Sequence, residues 1–179
     1  MKLRLLALTA TAVAAVALTA ACTGPKVTDH TGQKPELDLR EYFDGTLDGW
    51  GFITDRWGNV KARFTVVMRG RWDGDQGVLD EEFTYASGDT QKRSWQLERL
   101  PDGRYVGTAK DVIGKAEGLA RGNVFAWKYT LAFPIDGKTW HIDFDDWLFR
   151  MDERAVLNKA TLSKWGIKVG EMTASFVKR

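Results

Sequence analysis

From Trp50 onward, apolar and polar residues alternate, and Gly, Asn or Asp interrupts the alternation at short intervals. Alternation sends successive side chains to opposite faces of a strand, so the pattern predicts consecutive β-hairpins. The clearest is centred on Asp136-Gly137, a dipeptide suited to a two-residue primed turn. Pairing outward sets Phe133 opposite Trp140, Leu131 opposite Ile142, Tyr129 opposite Phe144, Trp127 opposite Asp146 and Phe125 opposite Leu148. One face of the hairpin is then almost wholly aromatic and aliphatic. On the other, Lys128 meets Asp145 and Thr130 meets Asp143, as a solvated surface requires.

The same phase runs through the neighbouring segments. A turn at Arg121-Gly122 sets Gly118, Ala116 and Gly114 opposite Phe125, Trp127 and Tyr129, small residues against large rings. A four-residue loop at Asp73–Gln76 sets Val66 opposite Phe83, Phe64 opposite Tyr85 and Met68 opposite Glu81. A three-residue loop at Ser87–Asp89 sets Phe83 against Arg93, Glu81 against Trp95 and Leu79 against Leu97. A short strand lies near Tyr105. Residues 153–164 fit either a helix closed by Gly166 or a strand, and the alternating run Ile167–Val177 needs a partner, which favours the strand. Leu37–Phe43 fits a short helix or an edge strand. The chain thus reads as all-β, a meander of about ten antiparallel strands with one apolar face. Closure covers that face and removes both sheet edges. The expected fold is a lipocalin-like up-and-down barrel over residues 37–179, with room inside for side chains or one small ligand.

The N-terminus follows another pattern. Lys2 and Arg4 precede an apolar run from Leu5 to Leu18, and the small residues Thr19-Ala20-Ala21 follow before Cys22. That order is a secretory signal, residues 1–21, and the run is shorter than the roughly 20 residues of a spanning helix. Leu18-Thr19-Ala20-Ala21-Cys22 resembles the bacterial lipobox, departing from it at Thr19, where the motif prefers an aliphatic residue. The resemblance implies lipidation of Cys22, palmitate included, and hence attachment to a membrane. Because Thr23 is not Asp, it also implies an outer membrane location facing the periplasm. A plain secreted protein is the alternative. Residues 22–36, polar and broken by Pro25 and Pro35, read as a lipidated N-terminus and flexible tether.

Composition changes the picture in two ways. Cys22 is the one cysteine, so the domain rests on burial without an internal disulfide, and all eight tryptophans lie beyond it. Of 26 basic residues, Lys2 and Arg4 go with the signal, leaving formal charges balanced at 24 against 24. Charge therefore gives no argument for a nucleic-acid partner. The two histidines, His30 in the tether and His141 on the outer face opposite Ala132, are badly placed for a metal site or a catalytic triad. No metal, cofactor or catalytic motif is expected, and any protein partner is left unassigned.

Three charges fall in phase with the apolar face: Glu81, Arg93 and Asp146. A buried charge requires a partner, water or a ligand. Glu81 and Arg93, diagonal in the expected register, fit an internal ion pair. Asp146 fits either a hydrogen bond from Tyr129 or a bulge that turns it to solvent. Together with Trp95, Trp127, Tyr129 and Phe144, they form the candidate ligand site, polar groups set in an aromatic cavity. The small-residue stripe of Gly114, Ala116, Gly118 and Ala120 either makes cavity volume or lets the rings pack close.

Phe43-Asp44-Gly45, the Gly51 to Gly58 segment with Asp55-Arg56, Glu81-Glu82-Phe83-Thr84-Tyr85 with Gly88, Arg93-Ser94-Trp95, Gly114-Lys115-Ala116, Gly122-Asn123, Trp127-Lys128-Tyr129, Asp145-Asp146-Trp147 and Lys164-Trp165-Gly166 with Gly170-Glu171 resemble the proteobacterial lipoproteins filed as domain of unknown function 3833. The resemblance implies an envelope lipoprotein with a calycin-type barrel and brings no catalytic residues with it. Three readings follow. The first is an anchored barrel that binds or carries an apolar or amphipathic molecule such as a lipid. The second is a structural or assembly lipoprotein with a filled barrel. Ranked third is a hydrolase or isomerase with Asp146 or Glu81 as base and Arg93 as anion clamp.

Overall fold

The computed structural model describes residues 24–135 and 137–179. Ten antiparallel strands follow one another: β1 (Gly45–Asp55), β2 (Val60–Asp73), β3 (Gln76–Tyr85), β4 (Thr90–Arg99), β5 (Arg104–Thr108), β6 (Val112–Arg121), β7 (Val124–Ile135), β8 (Lys138–Arg150), β9 (Ala155–Lys164) and β10 (Ile167–Lys178). Each pairs with its sequence neighbours and β1 pairs with β10, so the meander closes into a barrel. Alternation holds to the end of the chain: on β8 Ile142, Phe144, Asp146, Leu148 and Arg150 are buried, and on β9 Val156, Asn158, Ala160 and Leu162 are. The strand alternative for residues 153–164 is the observed one. Leu37–Phe43 holds a single helical turn, α1 (Leu39–Tyr42).

The β7–β8 register is as expected from Trp127 opposite Asp146 to Phe133 opposite Trp140, and so is β2–β3, with Met68 opposite Glu81. Two other registers slip by two residues, which leaves each side chain on its expected face but changes its partner. Between β3 and β4 the loop is Ala86–Gly88, closed by Tyr85 N donating to Asp89 O at 2.9 Å. The last residue of such a loop takes a left-handed conformation, and Gly88, at φ +94°, supplies it. Glu81 therefore faces Arg93 directly, and Trp95 faces Leu79. Between β6 and β7 the turn is Gly122-Asn123, with glycine first at φ +54°. Gly118 then lies opposite Trp127 and Ala120 opposite Phe125. Gly114 does not face Tyr129: it sits in a bulge between Ile113 and Glu117, exposed, at φ +70°.

One end of the barrel is closed by α1. Asp38 caps the turn by accepting from Arg40 N at 2.8 Å, and Leu39 and Phe43 face inward. Tyr42 Oη lies 2.8 Å from the carbonyl oxygens of both Arg154 and Phe176. The buried Arg150 guanidinium donates to Glu36 O at 2.7 Å and to Glu41 at 3.2 Å. Each such bond to a charged group is worth about 1.5–3 kcal/mol, so the plug is firmly pinned. Within the segment read as a tether, Val27–His30 form a 3-10 turn beside β6 and β7, and the His30 ring meets Phe149 edge-on at 5.9 Å. Among the described residues, the opposite end carries the connections β1–β2, β3–β4, β5–β6, β7–β8 and β9–β10 and no helix. All ten strands and the core they enclose belong to residues 24–179. The expected signal peptide and Cys22 lie outside the described residues, among which no helix is long and apolar enough to cross a membrane.

Candidate functional site

A cavity of about 110 Å³ lies above the plug, and Glu81, Arg93, Trp95, Trp127, Tyr129, Phe144 and Asp146 all line it. Pairing of β3 with β4 brings Glu81 and Arg93 together, and pairing of β7 with β8 brings Trp127 to Asp146 and Tyr129 to Phe144. The rings form one continuous wall: Trp95 to Trp127 is 4.7 Å between centroids, Trp127 to Tyr129 5.1 Å, and Tyr129 to Phe144 5.0 Å, nearly parallel at 9°. Each such pair adds roughly 0.5–1.5 kcal/mol beyond burial. Gly118 of the stripe and Gly107 of β5 serve close packing, whereas Gly114 is exposed with open space around it. A Cβ on Gly118 would meet Phe125 Cζ at 2.7 Å, and one on Gly107 would meet Trp127 and Trp95 at 3.1 and 3.3 Å. The space that remains is of the order of an engineered apolar cavity that accepts benzene.

Two polar groups interrupt this wall. Arg93 is held between carboxylates: its Nε and Nη2 donate to Asp111 at 3.0 and 2.8 Å, and its Nη1 to Glu81 at 3.4 Å. Asp146 accepts from Tyr129 Oη at 2.6 Å and from Asn158 Nδ2 at 2.9 Å. Burial pushes Glu81 up to about 7 against the pull of Arg93. Burial also raises Asp146, opposed by its bonds from Tyr129 and Asn158, and raises Tyr129, helped by the Asp146 charge. With one guanidinium facing three carboxyl groups and already bonded to two, the polar side of the cavity offers little to an anion. As an anion clamp Arg93 would first have to leave Asp111.

The Glu81–Arg93 ion pair is therefore present, and a cavity lies beside it. Asp146 faces inward and no bulge turns it to solvent. Two partners escaped the sequence reading. Asp111 lies in the β5–β6 connection, where alternation says nothing about direction. Asn158 was in phase with Val156 and Ala160 on the segment taken as a strand, a signal that was present and went unused. His141 is exposed opposite Ala132, and no group of metal-ligating side chains occurs among the described residues.

The family model described as "Protein of unknown function (DUF3833)" matches residues 16–178. No curated protein matches the chain. Among solved structures, the S-type phycobiliprotein lyase of Guillardia theta is similar with a TM-score of 0.61 at 8% identity, covering 87% of this chain and 98% of the lyase. A protein of unknown function of the DUF3598 family from Nostoc punctiforme is similar with a TM-score of 0.51 at 11% identity, covering 88% of this chain and 53% of that one. At such identities the likeness is one of fold.

Proposed function

The chain belongs to the DUF3833 family, and from that premise we propose that its barrel binds an uncharged apolar or amphipathic small molecule, such as a neutral lipid, as an anchored envelope lipoprotein. The observation that carries this reading is the cavity itself, an aromatic wall with a few fixed hydrogen-bonding groups, which is how small-ligand sites are built. The preference for an uncharged ligand follows from Arg93, whose charge Asp111 and Glu81 already answer. A volume of about 110 Å³ holds a ring or a short stretch of chain, so a longer ligand would extend toward the end opposite α1. Mass spectrometry of protein extracted gently from its membrane tests the proposal: a co-purifying apolar molecule is the expected result. An empty barrel that also fails to take up the uncharged fluorophore phenylnaphthylamine would sink it. Anchoring has its own test, since Cys22→Ala should abolish incorporation of a labelled palmitate analogue.

A second reading has one observation in its favour. Trp50 and Phe52 of β1 and Leu157 of β9 are exposed and share a shallow groove on the outer wall. Apolar patches of this kind mark contact surfaces, and a structural lipoprotein would work through it. Trp50→Ser with Leu157→Ser would then abolish crosslinking of an envelope protein to this groove while leaving the melting temperature unchanged.

A further inference from the structure

The end of the barrel opposite α1 carries a second set of tryptophans, none of which lines the cavity. Trp57 in the β1–β2 turn is 72% exposed and Trp165 in the β9–β10 turn is 85% exposed, with Ile167 beside it at 61%. Cations accompany them. The Arg56 guanidinium lies 4.2 Å above the Trp57 ring, and Lys164 Nζ lies 3.1 Å from the Trp140 ring centre and 4.5 Å from that of Trp165. The nearby carboxylates are engaged by other lysines, Asp55 by Lys61 at 3.2 Å and Glu171 by Lys168 at 2.9 Å. Because β1 pairs with β10, the two turns are neighbours on one arc of the rim.

Trp165 is the decisive residue. With Gly166 it forms a two-residue turn between Lys164 and Ile167, and both take positive φ, 54° and 75°. Such a turn favours Asn-Gly, and a bulky residue at positive φ is an outlier. The chain thus places a large ring against local preference, at a point where its own core gains nothing from it. We propose that this rim docks on the headgroup region of an anionic lipid bilayer, with Trp57 and Trp165 inserted and Arg56 and Lys164 against the phosphates. Indole rings concentrate at that depth, and basic side chains add attraction to anionic lipid. The docking stands independently of the cavity reading. If that reading also holds, an apolar ligand passes between bilayer and barrel with little exposure to water.

Residues 24–179, which hold every strand and the core, are the protein to test, since no acyl chain then contributes. They should co-sediment with vesicles of phosphatidylcholine and phosphatidylglycerol, more weakly with phosphatidylcholine alone, and less as salt is raised. Their tryptophan emission should shift to the blue on binding. Trp57→Ser combined with Trp165→Asn should weaken binding by about tenfold or more. Failure of the parent to bind, or binding that the double variant retains, overturns the proposal, as it would if the rim served a protein instead. The double variant leaves the cavity untouched, so its uptake of phenylnaphthylamine separates a failure of docking from a failure of the ligand reading.

Discussion

Arg93 shows how a buried charge is made tolerable and what that does to its neighbours. Asp111 and Glu81 share one guanidinium, and Glu81, the more buried of the two, holds its proton up to about 7 because burial outweighs the attraction. Glu81 therefore binds its proton more tightly folded than unfolded. The stability this contributes is fully present below about pH 4.5, its ordinary value, and is lost as pH rises through about 7. Conversion at 1.36 kcal/mol per pH unit gives at most about 3 kcal/mol. Melting temperature should fall across that window, and Glu81→Gln should flatten most of the fall. Asp146, raised by burial as well, contributes in the same sense. A melting temperature independent of pH in the parent protein would contradict the buried assignment. Tyr129→Phe removes a 2.6 Å bond to Asp146 and should cost about 1.5–3 kcal/mol in denaturant unfolding. The inward charges were legible from phase alone. So were the Glu81–Arg93 pair and the Tyr129 bond to Asp146; Asp111 was not, because it reaches in from a loop and phase describes only strands.

At the level of elements, turns decide what alternation cannot. Alternation fixed the faces of β3, β4, β6 and β7 correctly, yet a shift of two residues preserves every face, so it passes unseen in the pattern. The registers were settled by where a glycine at positive φ had to stand, last in the Ala86–Gly88 loop and first in Gly122-Asn123. The β7–β8 register, with Ile135 opposite Lys138, was read correctly because the Asp-Gly dipeptide admits one placement. The β9–β10 turn reverses the lesson, since Trp165 violates the preference that makes the others readable. Trp165→Asn should restore the favoured Asn-Gly pair and raise unfolding stability by about 1 kcal/mol. A loss of stability instead would mean that the ring packs usefully on the barrel, and would weaken the case for its service outside it.

Across the whole molecule, the two ends of the barrel differ in build. The N-terminal segment meets the barrel at the plugged end, where Leu37 N donates to Gly122 O at 2.8 Å and Val27–His30 lie beside β6 and β7. From Cys22 to Lys26 is four residues, a reach of about 14 Å at full extension. An eleven-residue strand such as β1, tilted as in other barrels, stands about 30 Å tall. On the lipoprotein reading, a protein held at Cys22 cannot lay its tryptophan rim flat on the bilayer that holds it, so the rim is offered to a second one. Mature protein anchored in one vesicle population should therefore gather a second, anionic population, seen as energy transfer between labelled vesicles. Trp57→Ser with Trp165→Asn should abolish the gathering while leaving the anchor in place. If residues 24–179 bind anionic vesicles but the anchored protein gathers none, the N-terminal segment must peel from β6 and β7 and let the rim fold back, and the two-pole geometry fails.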